Sequence, residues 1–188
     1  MVAKPRTAQS LLCCLLALLH SATSQCQFED SNKPDADLTE KLDRLNGKRY
    51  TLSTSDGKKY HVGICTTAMD DGPKEAGAVV VFNTTSIIAL GRLQNVRLSS
   101  KNSDRYLTLV YGNGDKFDPA KVKECSGTRK TDVIIVCDRK VDSDDTALSR
   151  PPEDNRADRC CDVFVLRTKL ICAEPEKHTS ALSTFILV

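Results

Sequence analysis

Cysteine is the residue type here that could do the most chemistry. Cys26, Cys65, Cys125, Cys137, Cys160, Cys161 and Cys172 lie downstream of an apolar leader, which itself holds Cys13 and Cys14. Zinc binding would call for closely spaced pairs with cysteine or histidine. No Cys-x-x-Cys occurs, and beyond the leader only His61 and His178 remain. A cysteine nucleophile would need a paired histidine base, and His61 falls within an apolar, β-branched stretch while His178 sits in a polar tail. In an oxidising compartment seven cysteines predict three bridges with one thiol left over. Adjacent Cys160 and Cys161 compete for a single partner.

Other chemistry is sparse. There is no Gly-x-Ser-x-Gly elbow, His-Glu-x-x-His helix, P-loop or Gly-x-Gly-x-x-Gly turn. The paired carboxylates Asp70-Asp71 and Asp144-Asp145 read as solvated loop charges. The chain therefore reads as a binding protein, not an enzyme. Asn83-Thr84-Thr85 is an acceptor sequence for N-linked glycan at Asn83.

The N-terminus is read as a secretory signal peptide over residues 1–24. Lys4 and Arg6 precede the apolar run Leu11–Leu19, and Ser21-Ala22-Thr23-Ser24 follow. That run is too short to span a bilayer, which takes about 20 residues. The leader carries two of the 27 basic residues and no acidic one, so 25 basic and 25 acidic side chains remain. An even, mixed balance argues against a nucleic-acid-binding or polybasic membrane-surface protein.

The elements that must position these residues are mostly strands. Asp37 to Leu45 has a helical pattern, with Asp37 as cap, Leu38, Leu42 and Leu45 on one face, and Gly47 placed to end it. Thr51–Ser53 and Tyr60–Ile64 flank Ser55-Asp56-Gly57 as a hairpin. Ala78–Phe82, Ile87–Leu90, Val96–Leu98, Tyr106–Tyr111, Val133–Val136 and Val163–Leu166 follow as strands. About eight short strands with frequent turns predict an all-β, flattened antiparallel barrel or sandwich with a short N-terminal helix. Asp138 to Arg159, rich in Asp, Arg, Ser and Pro, reads as a long exposed loop.

Three strings go further. Tyr60-His61-Val62-Gly63-Ile64-Cys65, Gly91-Arg92-Leu93, and Leu107 to Asp118 with its Gly114-Asp115-Lys116-Phe117-Asp118 end together resemble the lumenal domain of the cation-dependent mannose 6-phosphate receptor family. Val133–Cys137, then Cys160 and Cys172, complete the likeness over roughly Cys26 to Cys172. The resemblance implies a mannose 6-phosphate receptor homology (MRH) domain over residues 25–174, with 175–188 as a tail or the start of a membrane span. It implies the pairs Cys26–Cys65, Cys125–Cys160 and Cys137–Cys172, with Cys161 in place of Cys160 as the alternative.

In that family a glutamine, an arginine, a glutamate and a tyrosine grip phosphomannose. By the resemblance the arginine is Arg129, eight residues before Cys137, and the glutamate is Glu153 after a one-residue shift from Pro152. Val81 or Val80 stands at the glutamine position and Asp162 at the tyrosine position. Asp118 matches a metal-side aspartate, which implies a divalent cation, but the asparagine and histidine that follow it in the family are absent. The function implied is a lectin-type receptor of the secretory lumen, Golgi and endosomes. It would carry mannose-bearing glycoproteins such as lysosomal hydrolases, with a homodimer and a membrane anchor beyond residue 188 as further expectations. The alternative is a diverged domain of the same fold that has lost sugar binding and holds a protein partner.

Overall fold

The computed structural model describes residue 26 and residues 36–82, 86–94, 96–100, 106–118, 120, 122–141, 147–151 and 160–172. Among the described residues one helix, α1 (Ala36–Asp43), precedes nine strands: β1 (Arg49–Ser53), β2 (Lys59–Gly63), β3 (Ala76–Phe82), β4 (Ser86–Arg92), β5 (Arg97–Ser100), β6 (Tyr106–Tyr111), β7 (Lys130–Cys137), β8 (Ala147–Ser149) and β9 (Cys161–Thr168). Asp37, expected as the cap, lies inside the first turn and pairs with Lys41 one turn on, at 2.7 Å. The turn after α1 buries Leu45 beside Leu42, so the apolar face is the expected one.

Two sheets face each other, in the orders β1-β2-β3-β4 and β5-β6-β7-β9-β8. They form a sandwich of mostly antiparallel strands and do not close into a barrel. One pairing departs from the antiparallel expectation, because β7 and β9 run parallel from Lys130↔Cys161 to Cys137↔Thr168. Alternation dictates the inner faces. Leu107, Leu109 and Tyr111 of β6, Val133 and Ile135 of β7, and Phe164 and Leu166 of β9 pack against Tyr60, Val62, Ala78, Val80 and Leu90 of the other sheet. The unbroken apolar run of β3 is buried on both faces, since Ala68 and Met69 cover Val79 and Ala89 from outside.

The segment read as one long exposed loop is corrected here. Leu148, only 8% exposed, pairs with Leu166 and makes β8 an edge strand. A single apolar residue against the core suffices to order three residues between charged flanks.

All three bridges join the pairs implied by the resemblance: Cys26–Cys65, Cys125–Cys160 and Cys137–Cys172. Among the described residues Cys161 is the cysteine outside these bridges, and it is buried. It lies out of phase with Phe164 and Leu166 along β9, which puts it on the other face of the sheet. Among the described residues no helix is long and apolar enough to cross a membrane. Asn83, Glu153, Pro152, Asp144, Asp145, His178, the leader and the tail lie outside the described residues.

Candidate functional site

The site begins with the backbone at Arg129, just before β7. Arg129 donates its N–H to the Asp115 carbonyl at 3.0 Å and accepts from the Gly114 N–H at 3.0 Å. Asp115 is itself clamped. Its carboxylate accepts from the Ala89 N–H at 2.8 Å and from Arg92 Nη2 at 3.1 Å. Arg92 also donates to the Asn113 and Lys74 carbonyls. The Gly-Arg-Leu and Gly-Asp strings are thus a brace that fixes where Arg129 enters β7. Their glycines are required by close approach, because a Cβ at Gly91 would meet Tyr111 at 2.5 Å and one at Gly114 the Leu90 carbonyl at 2.6 Å.

From that base the Arg129 guanidinium stacks 4.4 Å above the Phe117 ring and faces Asp162, with Nη1 3.9 Å from Oδ2. The side chain is only 20% exposed, and its Nε is buried without a hydrogen-bond acceptor. Asp162 stands on the inner face of β9 opposite Thr131, and its carboxylate is engaged more closely by Arg150 Nη2, at 2.8 Å. Arg150 follows β8, lies 4.4 Å over the Tyr60 ring and donates Nη1 to the Tyr60 hydroxyl. Phe164 meets Tyr60 edge-on at 5.6 Å beneath it. Burial raises the Tyr60 phenol above its usual range, against the pull of the Arg150 charge.

The residues expected from sequence are only partly brought together. Arg129 and Asp162 converge. Of the two valines offered for the glutamine position, Val80 is buried opposite Tyr60, while Val81 pairs with Lys59 and is half-buried. Asp118 turns its carboxylate Oδ1 onto the Ala120 N–H at 3.0 Å. Among the described residues no three His, Cys, Asp or Glu side chains gather as a cation cage. Hard divalent cations take six or more oxygen ligands, so these residues do not by themselves fit one.

Sequence reasoning missed Arg150 and Tyr60. Signals were present: a basic residue between a short apolar segment and Pro151-Pro152, and a tyrosine set among lysines. His61, on the outer face of β2, bonds Thr51 Oγ1 through Nδ1 at 3.0 Å and is removed from this site. Asp70 is held by Arg49 at 2.6 Å and is otherwise exposed.

A family model described as mannose-6-phosphate receptor matches residues 20–188. Among solved structures, domain 11 of the echidna mannose-6-phosphate/IGF2R receptor is similar at 27% identity and TM-score 0.51, covering 71% of this chain and 86% of that one. Domain 11 of chicken IGF2R is similar at 21% identity and TM-score 0.52, covering 70% and 81%. The MRH domain of Yos9, solved with alpha3,alpha6-Man5, aligns at 13% identity and TM-score 0.47, covering 89% and 94%. No curated protein matches the chain.

Proposed function

Because the chain belongs to the mannose-6-phosphate receptor family, we propose that it is a lectin-type receptor domain, not an enzyme, which binds mannose-bearing glycans on glycoproteins in the secretory lumen. Lysosomal hydrolases are the expected cargo and Golgi-to-endosome transport the expected role. One observation carries this reading. Arg129 is braced, partly buried and stacked on Phe117, and among the described residues the carboxylate it faces, Asp162, stands 3.9 Å away. A planar guanidinium held that way has N–H donors to offer in a fixed fork, and two neighbouring sugar hydroxyls match that fork. By the family resemblance Glu153 would supply an acceptor to the same sugar.

A second reading draws support from the valine pair Val80-Val81 and from Asp162. A buried valine offers a sugar hydroxyl nothing, and Asp162 is already engaged by Arg150 at 2.8 Å. A domain that has exchanged its sugar-binding amide and phenol for these residues would hold a protein partner instead. Binding of the wild type and of Arg129→Ala to immobilised mannose and phosphomannose glycans separates the two. The lectin reading expects wild-type binding and a loss of about 2–5 kcal/mol in the variant. A wild type that retains no glycan leaves the partner-binding reading.

A further inference from the structure

β1 is the first strand of its sheet and has a hydrogen-bonded neighbour, β2, on one side only. Thr54 donates its N–H to the Lys58 carbonyl at one end of the hairpin, and Ile64 donates to the Lys48 carbonyl at the other. Bonded pairs alternate along an antiparallel ladder. Lys48, Tyr50, Leu52 and Thr54 therefore turn their backbone groups to β2, and Arg49, Thr51 and Ser53 turn theirs outward. Those three residues are exposed, and among the described residues their outward N–H and C=O groups take no partner. Natural edges are blunted by proline, bulges or charge. This one has no proline, its register with β2 is unbroken, and its one charged residue, Arg49, is drawn onto Asp70 and Thr67.

We propose that the outer edge of β1 accepts an extended segment of a partner protein as an added antiparallel strand, with an acidic residue opposite Ser53. Main-chain bonds supply the affinity of such additions, and alternate side chains select the segment. Charge makes the selection here. Ser53 pairs with Lys59 of β2, and both side chains lie on the outer face of the sheet. Lys59 is exposed, and among the described residues no carboxylate pairs with it. Ser53 is short, so Lys59 and a glutamate two strand spacings away, about 10 Å, meet over it.

The carboxylates nearby in the fold are engaged elsewhere. Asp70 is held by Arg49, Asp71 exerts its charge on His61, and Asp56 of the hairpin is engaged by Lys58. A second copy of this chain fits the edge less well. Paired so that Thr51 meets Thr51, it brings its own Arg49 opposite Ser53 and beside Lys59, where like charges repel. The edge shares no residue with the Arg129 site, so its occupancy is independent of glycan.

The probe is a short synthetic peptide of alternating threonine and valine, with glutamate at the central threonine position. Its valines are N-methylated, so only the threonine and glutamate edge can bond. One comparison form carries lysine for glutamate, and another carries the methyl groups on the bonding residues. With the wild type, the glutamate form should shift the amide NMR signals of Arg49, Thr51 and Ser53 and slow their hydrogen exchange. It should bind about fivefold more tightly than the lysine form, and the blocked form should not bind. Thr51→Pro removes the central N–H, at an outward position where an edge strand tolerates proline, and should abolish binding. Lys59→Glu should reverse the preference between the glutamate and lysine forms, and it decides the matter if Thr51→Pro proves unstable by thermal melting. The proposed docking is overturned if no form perturbs these three amides, or if the blocked form binds as well as the open one. An unchanged preference in Lys59→Glu overturns the acidic partner. Slowed exchange at the same amides that grows with protein concentration, without peptide, gives the edge to a second copy instead.

Discussion

Arg129 and His61 owe their settings to different physical causes at the scale of the residue. Arg129 was singled out through the family resemblance, and what sequence could not give is the reason it stands where it does. That reason lies in Gly114 and Asp115, which meet it through backbone bonds only the fold can create. Arg129→Lys keeps the charge and loses both the fork and the flat stack on Phe117. Its glycan affinity should fall by about tenfold or more, since a point charge cannot bond two hydroxyls at once. Its melting midpoint should hold, because the brace runs through main-chain atoms. Equal affinity in titration calorimetry would refute the assigned role. His61 is the contrasting case. Burial, with help from Lys59, lowers its pKa below the usual imidazole value. The unfolded chain then takes up a proton first as the pH falls through about 6.5. The stability tied to His61 is therefore complete above that value and is lost towards its lowered folded value. His61→Gln should flatten this part of the stability–pH curve, which urea unfolding between pH 5 and 7 would reveal.

Elements set by local pattern were legible, and those set by distant partners were not. The hairpin, the β3 run and the alternation of β6 all announce themselves within a few residues. β8 does not, since its order depends on Leu148 finding Leu166. Nor does the parallel β7–β9 pairing, which links residues some thirty positions apart through a crossover. A further cross-element contact explains an unusual backbone. Cys65 follows β2 with a positive φ of 50°, and its N–H donates to the Tyr111 hydroxyl at 3.1 Å. That hydroxyl donates in turn to the Gly63 carbonyl at 2.7 Å. Tyr111 is fully buried, which pushes its phenol far up in pKa and keeps it a neutral donor. Tyr111→Phe would strand one buried N–H and one carbonyl, at a cost of about 1–3 kcal/mol for each group left unsatisfied. Chemical denaturation should show that loss, and hydrogen exchange should quicken at Cys65 before it does in β2. An unchanged denaturation midpoint would mean that this hydroxyl does not hold the loop.

The whole molecule is fastened around the parallel pair that carries the site. Cys125–Cys160 joins the approach to β7 with the approach to β9, and Cys137–Cys172 joins their far ends. Each closes a separation of 35 residues, for which chain entropy gives about 4 kcal/mol of stabilisation. The two bridges should be alike in stability and unlike in function. Arg129 lies just after Cys125, and Asp162 just after Cys160, so the near bridge holds both walls of the site in register. The far bridge lies at the opposite ends of the same strands. Replacing Cys137 and Cys172 by serine should lower the melting midpoint yet leave glycan affinity intact at temperatures where the variant is folded. Replacing Cys125 and Cys160 should lower the midpoint by a similar amount and weaken glycan binding as well, because Arg129 and Asp162 would no longer be tied to each other at their base. Melting curves and affinities measured on both double variants test this pairing of effects. If the far-end variant loses affinity as fully as the near-end one while still folded, the site depends on the full length of β7 and β9 as a unit, and the division of labour between the bridges is wrong.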